Sequence, residues 1–180
     1  MKSKLTPDVA ARVEEALARA AAEERAPRVL FVCLGNICRS PAAQGVAESM
    51  AADRGLSDLE FDSAGFYGGH AGDLPDPRMR QAAFQRGYRL EHRSRTVRPS
   101  DFDRFDLIIG MDDRNMDDLH RAAPTPEEER RLFRMTDFTL DHPRADYVPD
   151  PYYEGPAGFQ LVLDLLEDGC GVLLDLLEKK

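Results

Sequence analysis

The chain predicts an α/β domain built on a parallel sheet, because short apolar runs rich in β-branched and aromatic residues alternate with longer segments of helical period. Val29 to Val32 is the first such run; Phe105 to Met111, with Leu107, Ile108 and Ile109 contiguous, is the clearest of the others. Unbroken apolar runs mark strands covered on both faces. The third observation lies directly after the first run. A Gly-bearing stretch from Cys33 leads to Arg39, Ser40 and Pro41, which reads as strand, anion-binding loop and helix start. At 180 residues the chain fits one domain with a single buried core.

Thr6 to Ala26 reads as one helix, with Thr6 as N-cap, Pro7 first, Asp8 in the opening turn and an Ala-rich body. Val9, Val13 and Leu17 form only a narrow stripe. It suits light packing on the domain or on a second copy of the chain, which would make an oligomer, and a solvated tail helix satisfies the pattern equally. Residues 1–27 are therefore expected to be an N-terminal helical extension and 28–180 the domain proper.

After the strand Val29 to Val32, Ser40 suits an N-cap and Pro41 the first helical position. Unpaired N–H groups and a positive macrodipole at such a start stabilise an anion held in the loop. Cys33 and Arg39 stand at its two ends, a spacing suited to nucleophilic attack on phosphorus. A helix N-terminus and a nearby cation favour the thiolate. The planar fork of Arg39 can hold two phosphate oxygens, and Gly35 lets backbone amides approach the third. Asn36 tolerates left-handed backbone angles and so shapes the loop. The Ser40 hydroxyl can cap the helix and also donate to Cys33. Cys38, four residues beyond Leu34, either packs as a small residue or bridges to Cys33 under peroxide.

Pro41 to Arg54 carries Ala42, Val46, Ala47 and Met50 at helical spacing, and Gly55 suits a left-handed stop. Leu59 to Ser63 is a second strand, followed by a Gly-rich loop from Phe66 to His70. Pro75 to Gly87 is a helix with Met79, Ala82, Ala83 and Phe84 as core positions. Arg86, Arg89, His92, Arg93, Arg95 and Arg98 then form the one positive cluster, read as a solvated loop. After the strand Phe105 to Met111, Asp112 and Asp113 open a helix through Leu119. Arg131 to Met135 is a fourth strand, and the polar stretch Thr136 to Val148 reads as a long surface loop.

That loop delivers Val148-Pro149-Asp150-Pro151-Tyr152-Tyr153. Proline on both sides holds Asp150 extended, so its carboxyl can reach over a cleft. Beside apolar, aromatic neighbours it is expected to keep a proton long enough to donate it. Tyr152 and Tyr153 would line the cleft and stack near an aromatic leaving group. Gly158 to Leu177 is a core helix, with Phe159, Val162, Leu163, Leu166, Leu173 and Leu177 mainly on one face. Gly169 and Gly171 weaken its centre by roughly 1 kcal/mol each, and Cys170 belongs to the core.

The string Cys33-Leu34-Gly35-Asn36-Ile37-Cys38-Arg39-Ser40-Pro41 closely resembles the signature of the low-molecular-weight protein tyrosine phosphatases. Asp150-Pro151-Tyr152-Tyr153 resembles that family's general-acid loop, and the resemblance runs from about Arg28 to Leu177. It implies a four-stranded parallel sheet flanked by helices, phosphotyrosyl proteins and small aryl phosphates as substrates, and a cysteinyl-phosphate intermediate. Cys33 would be the nucleophile, Arg39 the clamp and Asp150 the general acid and base. Leu34, Gly35, Asn36, Ile37, Cys38 and Ser40 would surround the phosphate. His92 would support the loop through Ser40, and Asp112 would orient Arg-bearing loops. The family's wall aromatic falls at Gly69, so Phe66 or Tyr67 must supply the ring. No cofactor or metal is implied.

The same fold also serves arsenate reduction, which needs further redox cysteines where only Cys170 remains. Phosphoarginine phosphatases resemble it too, but carry Thr at the position of Ile37. A noncatalytic phosphate-binding module would have lost Cys33 or Asp150. The net charge of −9 argues against nucleic acid as partner. Three cysteines, no apolar run near the length of a membrane span and no signal-peptide centre point to a reducing cytoplasm.

Overall fold

A computed structural model describes residues 5–178; the first four residues of the 1–27 extension and the last two of the 28–180 domain lie outside it. Four parallel strands, β1 (Arg28–Cys33), β2 (Glu60–Gly65), β3 (Leu107–Gly110) and β4 (Leu132–Arg134), form one sheet in the order β2-β1-β3-β4. Helices α1 (Pro7–Ala22), α2 (Arg39–Asp53), α3 (Pro77–Gln85), α4 (Asp101–Arg104), α5 (Asp113–Ala122), α6 (Pro126–Glu129) and α7 (Pro156–Glu178) flank it. The four-residue helices α4 and α6 are too short for periodicity to reveal them.

The alternation of β1 divides the core. Val29, Phe31 and Cys33 face the larger cluster with Ile109, Phe133 and the apolar faces of α2 and α7. Leu30 and Val32 face Phe102, Phe105, Ile108 and Leu119 on the other side. Both faces are covered, as contiguous apolar strands require. Cys33 pairs with Gly65 at the carboxyl ends of β1 and β2. The loops leaving β1, β2 and β3 therefore open at the same edge, where ligands bind in open α/β sheets.

Helix α1 starts as expected, with Thr6 Oγ1 accepting from the N–H of Val9 at 3.2 Å. It stops at Ala22, because the chain turns through Glu24 at φ 54°. It is neither a solvated tail nor a free dimerisation face. Val9, Val13, Ala16 and Ala20 are buried against the chain's own core, while Leu17 is only partly covered. Arg12 lies 4.5 Å over the Phe133 ring and donates to the carbonyl of Leu132, occupying the open edge of β4. At the other end, the fully buried Asp106 accepts from Arg25 Nη1 (2.7 Å), Arg25 Nη2 (3.0 Å) and the N–H of Arg28 (2.8 Å).

Packing overrides other local readings. Phe84 is 62% exposed, with Arg89 over its ring, whereas Met79, Ala82 and Ala83 are buried. Within the expected solvated loop, Arg95 is paired with Asp62 and Asp101, and Arg86 with Asp164 and Glu167. Phe138, Thr139 and Val148 are fully buried in the expected surface loop. Asp168 of α7 anchors that segment by accepting from the N–H groups of Leu140 and His142 and from His142 Nδ1. Gly169 in α7 marks a close contact, since a Cβ there would lie 2.5 Å from Met135 Cε. Among the described residues, no helix is long and apolar enough to cross a membrane.

Candidate active site

Cys33 ends β1 and is buried, and the loop after it runs directly into α2. The helix begins at Arg39, ahead of Pro41, so Ser40 lies inside its first turn and does not cap it. Cys38 holds the N-cap position and no side chain caps the end. The Ser40 hydroxyl lies 3.0 Å from Cys33 Sγ and accepts from Asn36 Nδ2 at 2.7 Å. Its own proton can then go to a thiolate at Cys33 or to the carbonyl of Ala64, 3.4 Å away.

Asn36 holds the loop from behind. It is fully buried at φ 55° and also donates to Ser63 Oγ at 3.0 Å. Its Oδ1 accepts from the N–H of Arg95 (3.0 Å) and from His92 Nε2 (3.1 Å). His92 therefore supports the loop through Asn36, not through Ser40 as expected; the amide spans the gap between ring and hydroxyl. Burial lowers the proton affinity of His92, against the opposing pull of Asp62.

Arg39 is 2% exposed. Its Nη1 donates to Asp112 Oδ2 (2.6 Å) and to the carbonyl of Val148 (3.0 Å), and its Nη2 lies 3.6 Å from Asp150 Oδ2. Burial works against its charge, but Cys33, Asp112 and Asp150 outweigh it and raise the pKa. Asp112 serves twice, because its Oδ1 accepts from the N–H of Asn115 and caps α5.

Asp150 reaches the cleft, but not into the apolar surroundings expected of it. Its side chain is 43% exposed, faces the Arg39 guanidinium and accepts from the N–H of Tyr152 at 3.0 Å. The cleft, of about 380 Å³, is lined by Cys33, Leu34, Gly35, Ile37, Cys38 and Arg39, by Asp150, Tyr152 and Tyr153, and by Tyr67 and His70. Asn36, Ser40, His92 and Asp112 stand outside this lining as supports. The Cys38 thiol is pushed up by burial, then by Asp76 and Cys33, and all three cysteines are free.

Tyr67, not Phe66, supplies the ring on the β2 side. It crosses Gly69 so closely that a Cβ at 69 would clash with its Cζ and Oη. Phe66 packs instead on the core beside β1 and β3. His70, in edge contact with Tyr67, was not foreseen in the lining; its only sequence signal is its place in the Gly-rich loop.

A thiol and a guanidinium bracketing a loop at the carboxyl edge of a parallel sheet, with a carboxylate folded over them, define a phosphate-loop protein of the cysteine-nucleophile class. The profile described as low molecular weight phosphotyrosine protein phosphatase matches residues 28–180, and the chain belongs to that family. It is 43% identical over 150 residues to a low molecular weight protein-tyrosine-phosphatase of Streptomyces coelicolor, covering 82% of this chain and 91% of that one. A protein tyrosine phosphatase from Entamoeba histolytica superposes with a TM-score of 0.82 at 42% identity, over 86% of this chain and 98% of the other. A drosophila arginine phosphatase shares the fold at a TM-score of 0.78 and 30% identity, over 84% and 98% of the two chains. The family profile begins at Arg28, after the end of α1 at Ala22.

Proposed function

We propose that the chain hydrolyses phosphotyrosine in proteins, and small aryl phosphates, through a cysteinyl-phosphate intermediate, with residues 28–180 as the catalytic domain. The observation that carries this reading is the convergence of Cys33, Arg39 and Asp150 in one cleft from opposite ends of the chain. Cys33 attacks phosphorus as the thiolate, which the Ser40 hydroxyl and the uncapped start of α2 stabilise. Arg39, aimed by Asp112 and Val148, holds the equatorial oxygens. Asp150 protonates the departing phenolic oxygen; as the carboxylate it then takes a proton from the water that attacks the phosphocysteine, and phosphate leaves. Tyr67, Tyr152 and Tyr153 offer faces to an aromatic leaving group.

Apolar Ile37 in the lining supports a tyrosyl over a guanidino substrate. Three free cysteines, with Cys170 buried in α7, support a reducing cytoplasm and speak against arsenate reduction. The test is phosphate release from a phosphotyrosyl peptide, assayed beside phosphoarginine and beside arsenate with a thiol reductant. Turnover of the peptide alone is expected; release from phosphoarginine alone would overturn the substrate assignment. Cys33→Ser should abolish turnover yet still bind vanadate, since the loop and Arg39 remain. Activity in that variant above ~1% of wild type would sink the nucleophile, because no base activates a serine here.

A further inference from the structure

We propose that Arg78, outside the cleft lining, is a positioning residue that straps the Asp150 loop to the phosphate loop. The proposal rests on Asp150 being the acid. The strap is one continuous path. The N–H of Asp76 donates to the carbonyl of Ile37 at 2.8 Å, fixing the start of α3 on the phosphate loop. The Asp76 carboxylate, itself largely buried, accepts from Arg78 Nε (3.1 Å), Arg78 Nη2 (2.8 Å) and the N–H of Arg78 (2.8 Å). The same Nη2 donates to the carbonyl of Tyr152 at 2.9 Å, and the N–H of Tyr152 donates to Asp150 Oδ1 at 3.0 Å.

The guanidinium lies 5.4 Å from the centre of the Tyr152 ring and 4.9 Å from that of Phe159, at the start of α7. A flat guanidinium held near two rings and forked to a carboxylate has an orientation that lysine cannot reproduce. The acid loop needs such a tie. Pro149 and Pro151 have no N–H to offer, and no strand or helix includes residues 148–153. Upstream of Asp150 the loop is held at Val148, whose N–H donates to the carbonyl of Met111 and whose carbonyl accepts from Arg39. Downstream, Arg78 supplies the matching hold. With both ends tied to the phosphate loop and its clamp, the carboxyl is kept at one height over the cleft.

The test is rapid-quench labelling of Cys33 with phenyl phosphate and with p-nitrophenyl phosphate, in wild type, Arg78→Ala, Arg78→Lys, Asp150→Ala and the Arg78→Ala/Asp150→Ala pair. Displacing a general acid by an ångström costs a large part of its effect, so Arg78→Ala should slow labelling about tenfold with phenyl phosphate and less than about twofold with the nitrophenyl ester. Inhibition by inorganic phosphate should stay within about twofold of wild type, and Arg78→Lys should fall between the two. In the Asp150→Ala background the arginine should no longer matter.

Equal slowing with both esters, or the same loss in both backgrounds, would make Arg78 a mere helix-start residue and overturn the strap. Should Arg78→Ala fail to fold, Arg78→Lys, alone and paired with Asp150→Ala, carries the same comparison of leaving groups and of backgrounds. Leaving-group dependence with Asp150→Ala but not with either Arg78 variant overturns the strap alone. Its absence with Asp150→Ala overturns the acid assignment and the strap with it.

Discussion

Asp150 carries two proton transfers in the proposed cycle, and the choice of leaving group separates them. A phenol of pKa near ~10 needs a proton as its bond to phosphorus breaks, and general acid catalysis typically supplies 10²–10⁴-fold. Asp150→Ala should therefore slow labelling of Cys33 by about a hundredfold or more with phosphotyrosine and far less with an activated aryl phosphate. Equal slowing would mean that the carboxylate only shapes the cleft. Steady-state turnover would blur this, because loss of the base also slows release of the intermediate. A different residue-scale strain sits at Glu24, exposed and left-handed at φ 54° just past α1. Glycine takes that conformation without a Cβ penalty, so Glu24→Gly should raise unfolding stability by up to about 1 kcal/mol, read from denaturant midpoints. Asn36 holds the same backbone region, but its amide makes four contacts that glycine could not replace.

Among the elements, α1 packs into the same core as the sheet and α7. Its small residues Ala16 and Ala20 let the helix approach closely, and Arg12 covers the carbonyl edge that β4 would otherwise leave open. Asp106 is the electrostatic pin, and its hydrogen bonds raise the proton affinity of Arg25. Removing one partner of a buried ion pair costs about 3–5 kcal/mol. Asp106→Asn keeps part of the hydrogen bonding, so a loss of about 3 kcal/mol is expected. Chemical denaturation measures it, while the leaving-group profile should be unchanged because the pin lies at the opposite end of the strands from Cys33. An altered leaving-group profile would mean that α1 reaches the cleft. Helix α7 shows the converse relation, in which Gly169 and Asp168 accommodate Met135 and the segment from Leu140 to His142.

At the scale of the whole molecule, His92 makes a contribution of definite sign to the pH dependence of stability. Burial lowers its folded pKa, while the unfolded chain keeps the ordinary value of 6.5. As pH falls, the unfolded state takes up the proton first. Stability from this residue is full above 6.5 and declines below it, down to the folded value. His92→Gln, whose amide can still donate to Asn36, should flatten the fall in denaturant midpoint between about pH 7.5 and 5.5. An unchanged slope would show that His92 does not carry it. Asp76 acts in a lower window: its side-chain hydrogen bonds with Arg78 lower its pKa, so its contribution is lost only as pH falls below 3.8.

The sequence by itself determined what neighbours along the chain can encode. Apolar runs and their spacing specified four parallel strands, and Cys33 to Pro41 specified the phosphate loop, since thiol, turn, guanidinium and helix start all lie within nine residues. Proline on both sides marked Asp150 in the same local way. Pairings across the fold were decided only when the crossovers brought distant segments to one sheet edge. Arg39 meets the carbonyl of Val148 across 109 residues, His92 reaches Asn36 across 56, and Arg78 meets Tyr152 across 74. Phe84 turned to solvent and Phe138 to the core for the same reason. Periodicity tells which face of an element is apolar, but the partner of each polar atom depends on where every preceding connection has placed the backbone.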